Sequence, residues 1–220
     1  MLKFTTNIVK IARYVVFKAD LDTWQRPRDL KVPDGLSVKN VDSDNIDDVE
    51  IFRGKRFVER FRKFHDDGCI GVYAYIDNTV VAHWWMDVND TQTCRLSEEG
   101  FVLLPGEAGT FYANVAEEHR GKRIHALLRV SLHERAKVLG GKTAVSHNDK
   151  DNEAVIRSNR RVLGKDFEDS AVFIRAMLSL VTIYKSSDRW HVSLGLPVLR
   201  KRIALAWSRT CGLGLLVRRL

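Results

Sequence analysis

The chain has 220 residues, 45% hydrophobic and 29% charged, which suits one generous domain with a real core and is too short for two full ones. No run approaches the roughly 18 apolar residues of a membrane-spanning helix, so a helical integral membrane protein is excluded. The net charge of +8 is concentrated: Arg189 to Leu220 holds seven Lys or Arg and no Asp or Glu, and +8 less seven leaves the rest close to neutral, which argues against nucleic acid as a partner.

Met1 to Ala19 mixes Lys3, Lys10, Arg13 and Lys18 among its apolar residues, unlike a secretory signal, and a cytoplasmic location is expected. Cys69, Cys94 and Cys211 are odd in number and far apart, and read as reduced structural thiols. Arg13 to Leu21 and Leu36 to Val41 have strand composition, separated by a loop with Pro27 and Pro33. Ser43 is a candidate N-cap, and Ile46, Val49, Val58, Phe61 and Phe64 space two short helices broken near Gly54.

Cys69 to Ile76 and Thr79 to Val88 are β-branched and aromatic runs around Asp77-Asn78, a tight hairpin. Trp84 and Trp85, being adjacent, must face opposite sides, so one belongs to the core and only the other can border a pocket. Gly109 to Ala116 is a strand running into Arg120-Gly121-Lys122 and a helix with Ile124, Leu127, Leu128, Leu132, Ala136 and Leu139 on its period, stopped by Gly140-Gly141. Thr143 to Ser146 is a strand, Asp149 or Asp151 can cap a helix to about Val162, and Ala171 to Met177 and Leu180 to Tyr184 are final strands. The order describes a mixed α/β layer.

The chemistry concentrates where the strand ending near Ala116 turns into the helix expected to open at Gly121. Unpaired amides and the positive end of a helix dipole converge there, beside Arg120, Lys122 and Arg123, and suit a phosphate or pyrophosphate. The run from Val102 to Phe167 resembles the GCN5-related N-acetyltransferase (GNAT) family. Glu118-His119-Arg120-Gly121-Lys122-Arg123-Ile124-His125, after Val115 and before Leu127-Leu128, is similar to that family's Arg/Gln-x-x-Gly-x-Gly/Ala loop. Asn152-Glu153-Ala154-Val155 through Gly164 and Phe167 is similar to its next segment, an Asn-started helix ending in Gly-Phe.

The resemblance implies a GNAT-like acyl-CoA N-acyltransferase fold, acetyl-CoA or another acyl-CoA as co-substrate, and no metal. It places the cofactor against Val115, Arg120, Gly121, Lys122, Arg123, Ile124, His125 and Asn152. Arg123 stands where that loop has its close-approach glycine, His125 where it has Gly or Ala, and Asn159 where many members have a tyrosine acid. Acyl transfer to an amine needs a neutral amine, a polarised carbonyl and a proton route, for which the candidates are His147, Tyr112 and His83. Tyr112 and Asn114 alternate with Phe111, Ala113 and Val115, so one face of that strand is expected to be polar.

The expected organisation is an acyltransferase domain over residues 1–188 and a basic apolar C-terminal extension over residues 189–220. The acceptor is a small-molecule amine, an amino sugar or an envelope-precursor amine. The alternative is a degenerate member of the fold that binds a partner, or one that uses an acyl carrier protein, without acetyl-CoA activity. In the extension, apolar residues such as Val198, Ile203 and Trp207 interleave with Arg200, Lys201 and Arg209. Two uses fit: a peripheral contact with an anionic membrane surface, or a fold-back that closes the core or a homodimer contact.

Overall fold

The structure, a computed structural model, describes residues 9–97, 101–163, 168–176, 181–187, 189–194, 201–208 and 212–219. In chain order the strands and helices are β1 (Val9–Asp20), β2 (Leu36–Asn40), α1 (Glu50–Arg53), α2 (Lys55–Asp66), β3 (Ile70–Ile76), β4 (Thr79–Val88), β5 (Arg95–Leu96), β6 (Val102–Leu103), β7 (Glu107–Val115), α3 (Ile124–Val138), β8 (Thr143–Asp149), α4 (Glu153–Leu163), β9 (Glu168–Ala176), β10 (Val181–Ser186), β11 (Arg189–Leu194), β12 (Lys201–Ser208) and β13 (Gly212–Arg219). Single 3₁₀ turns at Ile46–Val49 and Glu117–His119 precede α1 and α3.

Eleven strands form one mixed sheet in the order β13-β12-β11-β10-β9-β1-β8-β7-β4-β3-β2. Every described pairing in it is antiparallel except β7 with β8. The expected mixed α/β layer is therefore present, with α3 as the crossover that a parallel β7–β8 pair requires. Strand β1 lies between β8 and β9, a long-range placement that local pattern does not encode.

Strand alternation divides the core. Phe17, Val72, Ala74, Trp84, Ala108 and Ala144 face α3 and α4 with Leu127, Leu128 and Leu132. On the other face Tyr73, Trp85 and Phe111 pack on Phe57, Phe61 and Phe64 of α2. Farther along that second face, Val16, Val145, Phe101, Ala171 and Tyr184 form a third cluster. The two tryptophans thus separate as adjacent strand residues must.

Local signals hold where turn chemistry is decisive. Asp77 and Asn78 both take positive φ, 49° and 61°, the backbone of a two-residue hairpin turn. Gly54 (φ 83°) breaks α1 from α2, and Gly140 (φ 83°) ends α3 while the Gly141 amide donates to the Ala136 carbonyl at 2.8 Å. Other expectations are corrected. Ser43 is not the cap; the Asp42 carboxylate accepts from the amides of Asp44 (3.0 Å) and Asn45 (3.2 Å). Helix α3 opens at Ile124, three residues after Gly121, because Arg123 is left-handed. The cap of α4 is neither Asp149 nor Asp151 but Asn152, whose Oδ1 accepts from the Val155 amide at 3.3 Å.

Cys94 is disulfide-bonded and Cys69 is a buried free thiol, so the reading of three reduced cysteines is corrected at Cys94. Strand β11, which begins at Arg189, pairs with β10 on one side and β12 on the other. No described helix is long and apolar enough to cross a membrane. Gly164 and Phe167, the expected Gly-Phe close of α4, lie outside the described residues, as do the side chains of residues 193–220.

Candidate active site

Strands β7 and β8 are paired only from Glu107–Thr143 to Thr110–Ser146. Beyond that point β7 follows β4, ending at Val115 opposite Ala82, while β8 follows β1, ending at Asp149 opposite Tyr14. The two strands part, and their facing backbone groups, which would otherwise bond each other, line a cleft of about 830 Å³. Such edges can hydrogen-bond an extended, amide-bearing ligand as a third strand would.

A bulge sits on the β7 wall. The β4–β7 register shifts between His83 and Trp85, so that Trp84 opposes both Tyr112 and Ala113, and Tyr112 has φ 54°. This overturns the expected alternation: Phe111 and Tyr112 both turn to the α2 face, with ring centroids 5.0 and 5.7 Å from Phe64. Arg60 donates to the Tyr112 hydroxyl and lies 5.1 Å over its ring.

At the open end of the cleft, among the described residues, the amides of Gly121, Lys122, Arg123, Ile124 and His125 make no hydrogen bond; the first amides of α3 with an acceptor are Ala126 (3.0 Å) and Leu127 (3.2 Å), both to the Arg123 carbonyl. Gly121 (φ 79°) and Arg123 (φ 61°) are both left-handed. Arg123 therefore adopts the backbone of a glycine at a cost of about 1–2 kcal/mol. Its guanidinium reaches Asp29, donating to the carbonyl at 3.1 Å, and so ties down the Pro27–Leu30 loop that flanks the cleft. Arg120 Nε donates to the Val115 carbonyl at 3.3 Å, fixing the loop to the end of β7. Asn152, Val155, Ser158 and Arg161 bring α4 to the opposite rim.

All eight residues expected to bind the cofactor border this cleft except Lys122, which stands beside it with Nζ 3.2 Å from His119 Nδ1. The three catalytic candidates divide. His147 lines the cleft from the α2 face, its Nε2 2.8 Å from the Tyr184 hydroxyl and its ring stacked on Phe101 at 3.8 Å. Tyr112 lines it at the bulge. His83 does not: it is 1% exposed, Nδ1 lies 3.0 Å from the Tyr112 carbonyl, and burial with Arg53 nearby pushes its pKa down to about 3. It is a neutral core residue and no general base near neutral pH. Asn159 also leaves the cleft: it is fully buried and accepts from Arg129.

Sequence reasoning missed Arg60, Phe101 and Tyr184, which come from remote segments and carry no local signal. It also missed Arg129, for which a signal existed: His125, Arg129 and His133 recur every four residues on α3, a polar stripe among apolar ones. The ring of His125 stacks on Trp84 at 4.1 Å and that of His133 meets Trp24 at 4.8 Å. Burial, then Arg129, pushes both histidines down to about 3.

The strand–loop–helix segment that carries the GNAT resemblance stands in a parallel pair that splays beside a bulged strand and an unbonded amide loop. The mixed α/β sheet is the fold class that the sequence led one to expect. No family model matches the sequence, and no curated protein matches it. Solved structures do. A GCN5-related N-acetyltransferase from Kribbella flavida is 14% identical over 74% of this chain and 58% of its own, with a TM-score of 0.48. The aminoglycoside N-acetyltransferase AAC(6')-Iy in complex with CoA is 9% identical over 57% and 89%, with a TM-score of 0.46. A ribosomal-protein-alanine N-acetyltransferase from Brucella melitensis biovar Abortus 2308 is 12% identical over 58% and 89%, with a TM-score of 0.43. At such identities and scores the similarity says nothing of acceptor or mechanism.

Proposed function

We propose that the protein is an acyl-CoA-dependent N-acyltransferase acting on a small-molecule amine. The observation that carries this reading is the parting of β7 and β8 directly beside five consecutive unbonded amides. The amides of residues 121–125, with Arg120 and Lys122, would take the pyrophosphate, since unpaired N–H groups at a helix start favour anions. The amide-bearing arm of coenzyme A would follow the open edges of β7 and β8. Its thioester would reach the bulge at Tyr112 and Ala113, where an outward backbone N–H can polarise the carbonyl.

The amine would enter from the α2 face, where Tyr112 and His147 stand. Its nitrogen attacks the thioester carbon, the C–S bond breaks, and one proton must leave nitrogen while one reaches the thiolate. His147, with Nε2 2.8 Å from the Tyr184 hydroxyl, would take the first proton, and Tyr112, whose hydroxyl accepts from Arg60, would supply the second. Orientation would supply much of the rate in such a transfer, with both reactants held at one bulge.

A second reading has its own support. His125 stacks on Trp84 inside the cleft and Arg123 is committed to Asp29, which narrows the cradle and fits a protein that binds without transferring. Titration with coenzyme A and acetyl-CoA, followed by melting temperature, separates the cases, because a ligand of the native state must stabilise it. A shift with coenzyme A or acetyl-CoA and turnover of any amine supports the transferase; a shift without turnover across an amine panel supports a cofactor binder; no shift with either ligand defeats the transferase and favours the degenerate member that binds a partner.

A further inference from the structure

The cations of α1 and α2 fall into two sets. Arg62, about 200° around α2 from Arg60, pairs with Asp47, and Lys63, in the last turn, pairs with Asp67 at 2.7 Å. Arg53, Arg56 and Arg60 have no such match: among the described residues no carboxylate pairs with any of them. Glu59, which stands between Arg56 and Arg60 in the chain, is exposed and pairs with neither. The three guanidinium groups rest instead on one patch of rings. Their carbons lie 4.2 Å (Arg53), 4.9 Å (Arg56) and 5.8 Å (Arg60) from the centroid of Phe57. Contact with a ring holds a guanidinium in place without neutralising it, so three like charges converge uncompensated.

Tyr112 joins this cluster to the cleft. It lines the cleft at the bulge, its ring lies 6.3 Å from that of Phe57, and its hydroxyl accepts from Arg60, which lies 5.1 Å over its ring. The guanidinium groups are not part of the cleft wall; they stand beyond Tyr112 on the α2 side. Arg56 and Arg60 are exposed there and Arg53 is half-buried, so a molecule at the bulge reaches them through solvent, past the phenol. Most of their donors have no acceptor among the described residues, and the planar fork of arginine matches the paired oxygens of a carboxylate or a phosphate.

We infer that the amine acceptor carries an anionic group, a carboxylate or a phosphate, which Arg53, Arg56 and Arg60 hold while the amine stands at the bulge. The inference rests on the acyltransferase reading and names its acceptor class. The span is that of one tyrosine side chain, from the bulge backbone to the hydroxyl that Arg60 touches, and a short amino acid or an aminoalkyl phosphate covers it. The sign of the field serves the chemistry as well. Nearby cations oppose protonation of the amine, which must be neutral to attack, and they repel an acceptor that carries further positive charge.

Thiol release from acetyl-CoA is followed with β-alanine, 3-aminopropyl phosphate, 3-aminopropanol and 1,3-diaminopropane, acceptors of similar length and different charge. For the intact protein, kcat/KM with an acidic acceptor is expected to exceed that of the alcohol by at least about tenfold, and that of the diamine by more. The better of the two acidic acceptors tells carboxylate from phosphate. Arg53→Gln with Arg56→Gln leaves Arg60 and Tyr112 in place. This pair is expected to raise KM for the acidic acceptors about tenfold, with kcat, and the constants for the alcohol and acetyl-CoA, within about twofold. If the double variant does not fold, Arg56→Gln at its exposed position is expected to give a smaller rise in the same direction. Equal kcat/KM for acidic and neutral acceptors, or a preference for the diamine, overturns the inference and leaves the acyltransferase reading standing. A preference for acidic acceptors that survives both substitutions removes the cluster from the site. If acetyl-CoA stabilises the protein and no acceptor turns over, β-alanine and 3-aminopropyl phosphate are titrated calorimetrically against the protein saturated with coenzyme A. Binding that the double variant loses supports the inference, and no binding overturns it. No stabilisation by acetyl-CoA defeats the acyltransferase reading and this inference with it.

Discussion

The two faces of the sheet at the cleft are built on opposite principles. On the α2 face, rings pack on rings and the tyrosine hydroxyls have partners, Tyr73 donating to the Ile46 carbonyl at 3.1 Å, Tyr75 to Asp48 at 2.8 Å and Tyr112 accepting from Arg60, while His83 Nε2 and Trp85 Nε1 are buried without one. On the α3 face, His125, Arg129, His133 and Asn159 each bury at least one nitrogen with no partner. Satisfied polar groups hold a core in one arrangement, whereas unsatisfied ones are retained against their cost where a ligand completes them. The first face is thus an aromatic platform beneath Tyr112, and the second carries a buried polar stripe along α3.

Acidification tests the contrast with the largest effect. His83, His125 and His133 are held near pKa 3 against an ordinary 6.5, so the unfolded chain takes up protons that the native state refuses. Stability is full above pH 6.5 and falls as pH drops toward 3, by about 1.4 kcal/mol per unit for each histidine. Unfolding free energies from urea denaturation at pH 7 and pH 5 should differ by several kcal/mol, and an unchanged midpoint would show that the three histidines are not buried neutral. Removal of a ring from the platform comes next. Phe61→Ala, at a position with no exposure, should cost about 3–5 kcal/mol of stability and leave the coenzyme A affinity of the folded fraction unchanged.

The loop should behave in the reverse way. Arg120→Ala with Lys122→Ala is expected to raise the apparent constant for acyl-CoA by about 10–100-fold, with little change in melting temperature or in the constant for the amine. Equal affinity before and after substitution would move the pyrophosphate elsewhere. The smallest effect is expected from Arg123→Gly, where relief of a left-handed backbone offsets the lost contact with Asp29: a change within about 1 kcal/mol, read by chemical denaturation.

What the sequence by itself determined is whatever local chemistry decides. Asp77-Asn78 makes a hairpin turn because both residues tolerate positive φ, Gly140-Gly141 stops α3, and the stretch from Val115 to His125 is legible as a strand–loop–helix because turn residues and period change there together. The residues that the resemblance assigns to the cofactor loop are consecutive, and all of them but Lys122 border one cleft. What only tertiary structure decided is where side chains point and what stands opposite them. The bulge opposite Trp84 turns Tyr112 onto the face of Phe111, which no alternation rule anticipates, because a bulge is a property of two strands in register. His83 looked like a base and is a core residue, since burial depends on α2 packing over it. Arg129, which sequence reasoning did not single out, is enclosed against Trp84 and Asn159, which come from segments 45 and 30 residues away in the chain. Periodicity registers that a position is polar; only the packing of α3 and α4 on β4 makes that polarity buried and in need of a partner.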